Sequence, residues 1–545
     1  MKKRMIGLLL VTVLGTAMLA GGCKKGDKRE LSQMQSVNES IEPVEMSDSC
    51  RNSYEIFVAS FYDSDGDGIG DLKGVDEKLD YIENLGADEV WLMPICPSPS
   101  YHKYDVTDYM AVDKSYGSVS DFKALVADCH KRGIRVLTDL VINHTSSEHP
   151  WFQKAKSYLE KLPKGAKADY GKCPYLKYYH FIKDDTDRTG YAKLSGTDYA
   201  YEARFWEGMP DLNLDQQKVR NEIAKVTQYW TDLGVDGFRL DATTSYYTGQ
   251  NSKNIGFMTW LDKTVKRQNP GAYLVGEAWT DSMTYSSFYR SGIDSFFDFD
   301  FAGNDGFIAK TVRGNMKADD FGSSMVMIQD RIAKNSETGI DAPFYTNHDM
   351  ARSAGYYSQD DKGEKTKFAQ GLNLMMSGNA FLYYGEEIGM KGSGIDENKR
   401  APMQWTADQK AKGMTKGPVG MEKFQMKFSP LDQQKINPYS IYNYVRQAFR
   451  IRRNFPAVAR GEVVVDQGLS NDKILVIEKK PKDTSLSPVV LVYNMSDKQQ
   501  SVDLRKMAFP EKKLSGVLTV NQKEIGLAKD QLVMPGRSIA VLTRD

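Results

Sequence analysis

The chain has 545 residues, 41% of them apolar and 26% charged, which is soluble-globular composition spread over more than one small domain. Its 72 basic and 72 acidic side chains cancel, so no basic surface argues for nucleic acid as a partner. Aromatic content is 11%, with 30 Tyr and 7 Trp, which suits a protein that stacks on flat ligands.

The N-terminus reads as a targeting segment. Residues 1–22 run from a basic MKKR through an apolar stretch to Gly-Gly, followed by Cys23. The run is short for a spanning helix and ends in small residues, as a signal peptide does. The cysteine after small residues resembles a bacterial lipobox, which makes Cys23 the expected lipidation site. Residues 23–50 are polar and non-periodic and read as a tether. Export with anchoring to the cell membrane or surface is the expected location. The other cysteines, Cys50, Cys96, Cys129 and Cys173, form no metal-binding spacing and read chiefly as free thiols, although three pairings are open to them.

From residue 53 short apolar runs alternate with amphipathic helical stretches. The predicted strands are 56–61, 89–94, 134–141, 235–240, 272–277, 293–299, 342–347 and 380–385. Eight β-then-α units predict an α/β fold, a (β/α)8 TIM barrel over 51–143 and 207–455. The third connection is too long, so residues 144–206 are an insertion, domain B. Residues 456–545 show alternating strands and no strong helix, which predicts a C-terminal antiparallel β-sandwich.

After the first strand comes DSDGDGIGD, residues 63–71. Asp63, Asp65, Asp67 and Gly68 satisfy places 1, 3, 5 and 6 of an EF-hand loop, but place 12 is Gly74 instead of Glu. A strand, not a helix, precedes it. This predicts a calcium-type loop outside an EF-hand.

In such a barrel chemistry sits where strands end. The fourth strand ends in GFRLDA, the fifth in GEAW and the seventh in TNHD, so Asp241, Glu277 and Asp349 meet at one mouth. They are 36 and 72 residues apart, about one and two βα units. Three acids together repel, so at least one pKa must rise, which separates a general acid from a nucleophile. Arg239 faces the same side of its strand as Asp241 and would hold it ionised.

DLVINHT, GFRLDA, GEAW and FYTNHD, with YHKYDVTDY, MPDLN, YYGEEIGM and RAPMQW, resemble the motifs of the α-amylase family, glycoside hydrolase family 13, over residues 53–405. MPDLN is similar to the subfamily between oligo-1,6-glucosidases and neopullulanases. The resemblance implies that Asp241 is the nucleophile, Glu277 the general acid/base and Asp349 a third acid holding sugar hydroxyls. Arg239, His144 and His348 would line the same sugar subsite, Tyr104 would stack under it, and Asp105 and Arg352 would support it. It implies a calcium bound by Asp63, Asp65, Asp67 and Asp71 with the Ile69 carbonyl. A second calcium would use Asn143 and Asp211, with Ser245 departing from the pattern. Trp151, Tyr175, Tyr178, Tyr179 and Trp206 would stack on glucose units or form the insertion's core. The implied reaction is retaining hydrolysis, with the two carboxyls roughly 5–5.5 Å apart. Ala242, where α-1,6-specific members carry Val, favours α-1,4 bonds. The expected enzyme is a monomeric endo-acting α-amylase on starch and maltooligosaccharides; an exo-acting α-glucosidase or a 4-α-glucanotransferase with the same acids is the alternative.

Overall fold

The computed structural model describes residues 31–183, 188–422 and 426–544. The signal segment and Cys23 lie outside the described residues.

Seven parallel strands follow one another around a curved sheet: Ala380–Tyr383, Asn52–Ile56, Glu89–Leu92, Arg135–Leu140, Gly237–Leu240, Tyr273–Gly276 and Ser295–Phe296. The predicted seventh stave, 342–347, is no regular strand. It closes the ring through two parallel bridges, Phe297 with Ala342 and Phe344 with Phe381. Pro343 is the local reason, because it has no N–H to give a ladder and can only accept, here from Phe381 at 2.8 Å. The chain is thus a (β/α)8 barrel with one irregular stave. Trp91, Leu137, Val275, Phe297, Phe344 and Phe381 fill its interior as a core separate from the one under the helices.

The helices outside form where the sequence caps them and repeats an apolar face. Val119–Lys131 is representative: Ser118 and Asp121 make a reciprocal capping box, and Phe122, Leu125, Val126 and Cys129 bury one stripe. Between the third strand and helix Gln217–Asp232, the inserted residues fold around a small antiparallel sheet of Phe181–Lys183, Tyr199–Glu202 and Tyr191–Lys193. The C-terminal region holds a five-stranded antiparallel sheet, Gly461–Val465, Ile474–Pro481, Val489–Asn494, Ser538–Thr543 and Lys513–Thr519 in spatial order, and a three-stranded one. Cys50, Cys96, Cys129 and Cys173 are free thiols. No helix among the described residues is long and apolar enough to cross a membrane.

The tether reading needs correction from residue 32 onward. Ser32 caps a helix, Gln33–Asn38, whose Met34 is fully buried. The Asn38 side-chain amide donates to Val517 O and accepts from Val517 N, both at 2.9 Å. Gln33 pairs in the same way with Ile525, at 2.7 and 2.9 Å. The Asn38 amide thereby satisfies backbone groups on Lys513–Thr519, the edge strand of the five-stranded sheet, as a further strand would, and the Gln33 amide does the same for the loop that follows it. Further on, Val44 N donates to Arg453 O, and Arg460 pairs with Asp48. Residues 32–48 are a strap across the folded body.

Candidate active site

Arg239 organises the mouth. Its side chain points inward from strand Gly237–Leu240, 1% exposed, over the ring of Trp91 at 5.2 Å. Nη1 donates to both Asp139 oxygens, at 2.8 and 3.1 Å, and to Asp241 Oδ1 at 2.8 Å. Nη2 meets Glu277 Oε2 at 2.9 Å. One planar cation therefore spans the two predicted catalytic carboxyls. Directly after Asp241 the chain turns sharply at Ala242, whose φ of 50° is left-handed and costs a non-glycine residue roughly 1–2 kcal/mol. That turn aims Ala242 N at Glu277 Oε2, 3.0 Å away, and ties Thr243 N to Glu277 O at 2.9 Å. The strain fixes the two acid-bearing strand ends against each other.

Asp349 is held from the other side. Its Oδ2 lies 3.1 Å from His348 Nε2, and its Oδ1 accepts from Arg400 Nη2 at 2.8 Å. His348 is fully buried, with Nδ1 2.5 Å from Glu55 Oε1 and Nε2 2.7 Å from the Tyr104 hydroxyl. Tyr104 stacks on the His348 ring at 5.4 Å and 15°. His144 Nε2 lies 3.1 Å from Tyr104 O, and burial pushes its pKa down to about 4, so it is neutral and donates there.

These neighbours divide the acids electrostatically. Burial raises the Glu277 carboxyl above the usual range, Arg239 opposes it, and Asp241 and Asp349 add to it. Burial raises Asp241 as well, and Arg239 only partly reverses that, so the guanidinium does less to keep Asp241 charged than its position in sequence suggests. Burial would also raise Asp349, but His348, Arg400 and Arg239 outweigh it and hold that carboxyl far below the ordinary range. Burial would lower His348, but Asp349 and Glu55 push it up to about 9. The mouth thus carries one firmly ionised acid and two whose protons are held more tightly.

Two expected supports sit elsewhere. Arg352 is fully buried and donates to Tyr384 O at 2.6 Å and Lys399 O at 3.0 Å, its guanidinium lying over Tyr383. It braces loops beneath the mouth, and Arg400 holds Asp349 in its place. Asp105 is buried and accepts from the Ser98 and Ser100 hydroxyls, so it shapes the loop that carries Tyr104. Asp139, Glu55 and Arg400 are site residues that sequence reasoning missed. Asp139 lies within DLVINHT and Arg400 immediately precedes APMQW, so both motifs carried the signal.

Around this centre stand exposed rings. Trp279, two residues past Glu277, is 55% exposed and stacks on Phe299 at 5.0 Å. Phe205, 51% exposed, lies 5.2 Å from His144, and Trp206 beside it is 51% exposed. Tyr178 and Tyr179 are buried, and Trp151 and Tyr175 pack on Tyr178, so these four belong to the insertion's core.

The acidic loop brings ligand oxygens of Asp63, Asp65 and Asp71 within 4.8 Å of one another. Three converging carboxylates fit a hard cation such as calcium, which takes oxygen ligands. Asp67 stands apart, exposed: its carboxylate accepts from Ile69 N at 2.7 Å and its carbonyl from Lys416 Nζ at 2.8 Å. Asn143 and Asp211 close on each other, Nδ2 to Oδ1 at 3.2 Å, because the bridge of His144 with Asp211 sets the two segments side by side. Burial pushes Asp211 up to about 7. Among the described residues no third carboxylate, His or Cys joins Asp211 in a metal-like group.

Residues 55–461 match a family profile described as the α-amylase catalytic domain. The chain belongs to the α-amylase family. It is 38% identical over 414 residues to Alpha-amylase 3 of Dictyoglomus thermophilum, covering 75% of this chain and 78% of that protein. It superimposes on the structure of Eubacterium rectale Amy13B with a TM-score of 0.91 and 47% identity, covering 95% of this chain and 99% of that one. It is also 30% identical over 511 residues to the trehalose synthase/amylase TreS of Mycobacterium tuberculosis, 83% of this chain and 82% of that protein. Membership makes the chain a glycoside hydrolase of the α-amylase type, with its buried acids at the barrel mouth.

Proposed function

We propose that the protein is a retaining, endo-acting α-1,4-glucan hydrolase, exported and lipid-anchored through Cys23, that degrades starch and maltooligosaccharides at the cell surface. The observation that carries the chemistry is the Arg239 guanidinium bonded to both Asp241 and Glu277. Glu277, its pKa raised, donates its proton to the glycosidic oxygen as that C–O bond breaks. Asp241 attacks the anomeric carbon and forms a glycosyl ester. Water then gives a proton to the Glu277 carboxylate and its oxygen to the anomeric carbon, which releases the sugar and restores both acids. Asp349, ionised throughout, accepts from sugar hydroxyls, and Tyr104 offers a ring to the sugar face. Arg239 stays cationic and balances the charge as it moves between Asp241 and Glu277.

The exposed rings Trp279, Phe205 and Trp206 support a chain-binding cleft longer than one sugar, which is the ground for endo action. A calcium at Asp63, Asp65 and Asp71 would supply positive charge that locks the loop after the first strand, and no reaction step passes through it.

Similarity to a trehalose synthase/amylase keeps transglycosylation as a second reading. Product profiles from starch, pullulan and maltotriose decide it. A ladder of maltooligosaccharides supports endo hydrolysis, glucose alone indicates an exo enzyme, and products longer than the substrate indicate transfer. Asp241→Asn is expected to lower turnover of a nitrophenyl maltooside by several orders of magnitude, and retained activity would reject the nucleophile assignment. Cys23→Ala is expected to release the protein from the membrane fraction, and a variant that stays bound would reject the anchor.

A further inference from the structure

A buried acid that takes no part in the proposed reaction steps stands behind the mouth. Glu55 lies in strand Asn52–Ile56, where Ser53 and Glu55 point into the barrel and Tyr54 and Ile56 into the outer core. Trp91 and Tyr383 flank it in register, and it is 1% exposed. Its side chain makes one hydrogen bond among the described residues, with His348 Nδ1 at 2.5 Å. A carboxylate in such a place costs stability unless its partner is charged. A glutamine of the same shape could bond a neutral imidazole there with no charge to bury. An acid is the more costly choice, and the arrangement of His348 shows what its charge does.

Both ring nitrogens of His348 face carboxylates. Nδ1 meets Glu55 Oε1, and Nε2 meets Asp349 Oδ2 at 3.1 Å and the Tyr104 hydroxyl at 2.7 Å. An ionised carboxylate only accepts, so each nitrogen must carry a proton, and a ring with two N–H groups is an imidazolium. Were one proton lost, Glu55 or Asp349 would face a bare lone pair. The contact with Glu55 is the shorter, so Nδ1 keeps its proton and Nε2 gives its proton up.

The other charges around the ring fit this. Tyr104 donates to Asp139 Oδ2 at 3.2 Å, so its oxygen can accept from Nε2. Arg239 Nη1 lies 3.4 Å from the same hydroxyl and pairs with Asp139 and Asp241. Arg400 holds the other oxygen of Asp349. Tyr383 donates to Lys399 O at 3.2 Å and so leaves Glu55 to His348. Burial raises the Glu55 carboxyl, with His348 and Arg239 opposing it. Burial lowers His348, but Asp349 and Glu55 outweigh it and push it up to about 9, so the proton of the pair rests on the ring.

We infer that Glu55 is a positioning residue for the reaction: through Nδ1 it keeps His348 doubly protonated, and the Nε2–H of that imidazolium holds Asp349 ionised and in place. Glu55 itself touches neither the sugar nor the reacting atoms. What Asp349 then does for the sugar rests on the proposed function. When His348 loses its proton Asp349 loses a donor, which gives kcat/KM an alkaline limb whose position Glu55 sets. Removing the negative charge of Glu55 makes the imidazolium more acidic, so the limb moves to lower pH.

The test pairs Glu55→Gln, which keeps the shape and removes the charge, with Glu55→Asp, which keeps the charge and shortens the reach. Each is read by the pH profile of kcat/KM on a nitrophenyl maltooside and by nitrogen NMR of histidine-labelled protein. The chain has 6 His, and the spectrum of His348→Gln identifies the signal. Near neutral pH the unaltered protein should show two ring N–H groups on His348. Glu55→Gln should lower kcat/KM about 10- to 100-fold, as loss of a hydrogen bond between charged groups does, and move the alkaline limb to lower pH. Glu55→Asp should return the limb toward its original position even where the rate stays low. A residue that only fills space would change the rate and the melting temperature but leave the limb and the ring protons where they are, and that result overturns the inference. If Glu55→Gln fails to fold, the unaltered protein decides, since a single ring N–H on His348 near neutral pH overturns it as well. Absence of turnover on any maltooside rejects the proposed function and leaves the NMR result to stand by itself.

Discussion

Arg400 is the residue whose replacement tests the electrostatic account of the mouth most directly. It is 3% exposed, donates from Nη2 to Asp349 at 2.8 Å and from Nη1 to the Tyr101 hydroxyl at 2.8 Å. Arg400→Gln keeps a polar side chain but removes the charge and the reach. A hydrogen bond to a charged group contributes about 1.5–3 kcal/mol. Asp349's side chain is 31% exposed, so water compensates part of that loss and the lower end applies. At 1.36 kcal/mol per tenfold, kcat/KM should fall about 10- to 30-fold. The direction with pH follows too. Asp349 is held low by His348, Arg400 and Arg239, so loss of Arg400 raises its pKa and moves the acid limb of kcat/KM toward higher pH. Both are read from pH profiles on a nitrophenyl maltooside, with the melting temperature as folding control. A folded variant with kcat/KM within threefold and an unmoved acid limb would refute the reasoning.

Three further outcomes are expected. Chelation should lower the melting temperature more than it lowers kcat, and Asp65→Asn should mimic it while Asp67→Asn does not; a chelated enzyme with unchanged melting temperature would reject the calcium. A chain starting at residue 51 should be less stable by about 4 kcal/mol, from Met34 burial of about 2 and the paired bonds of Asn38 at about 1 each, so equal melting temperatures with and without residues 32–50 would refute the strap. His348, raised to about 9, contributes stability that is complete below its unfolded value of about 6.5 and is lost as pH rises through about 9. His348→Gln should therefore flatten the fall in melting temperature between those pH values, and an unchanged slope would count against it.

Much of this was legible in the sequence because barrel strands end where their chemistry begins. GFRLDA put Arg239 and Asp241 on one face by strand alternation alone, and the structure joins them at 2.8 Å. Arg400 opens the RAPMQW motif, but its tie to Asp349 was not legible, because it lies 51 residues further on in an irregular loop where no periodicity points inward. Arg352, closer in sequence, drew the assignment that belongs to Arg400. Glu55 and Asp139 were hidden for the opposite reason: they sit inside apolar strands, where a single acid looks like an exception until Arg239 and His348 are placed against it. The strap escaped because its helix has six residues, too few for a periodic signal, and its grip comes from Gln33 and Asn38, which composition scores as linker-like. Asp67 fits the loop template by spacing, but spacing does not register Lys416, brought in from far along the chain.

The irregular seventh stave has a mechanical consequence. Its seams are stitched by few backbone bonds, Asp298 N to Ala342 O at 3.2 Å and Gly303 N to Tyr345 O at 2.8 Å on one side, and Asn379 N to Asp341 O at 2.9 Å and Phe381 N to Pro343 O at 2.8 Å on the other. The stave that leads to Asp349 is therefore the least constrained part of the ring, whereas Asp241 and Glu277 rise from strands laddered on both sides. Opening should begin at this seam, and amide exchange should be fastest there among the barrel staves. Asp349 is therefore positioned by side chains, His348 and Arg400, where Asp241 and Glu277 are positioned by the backbone ladders beneath them.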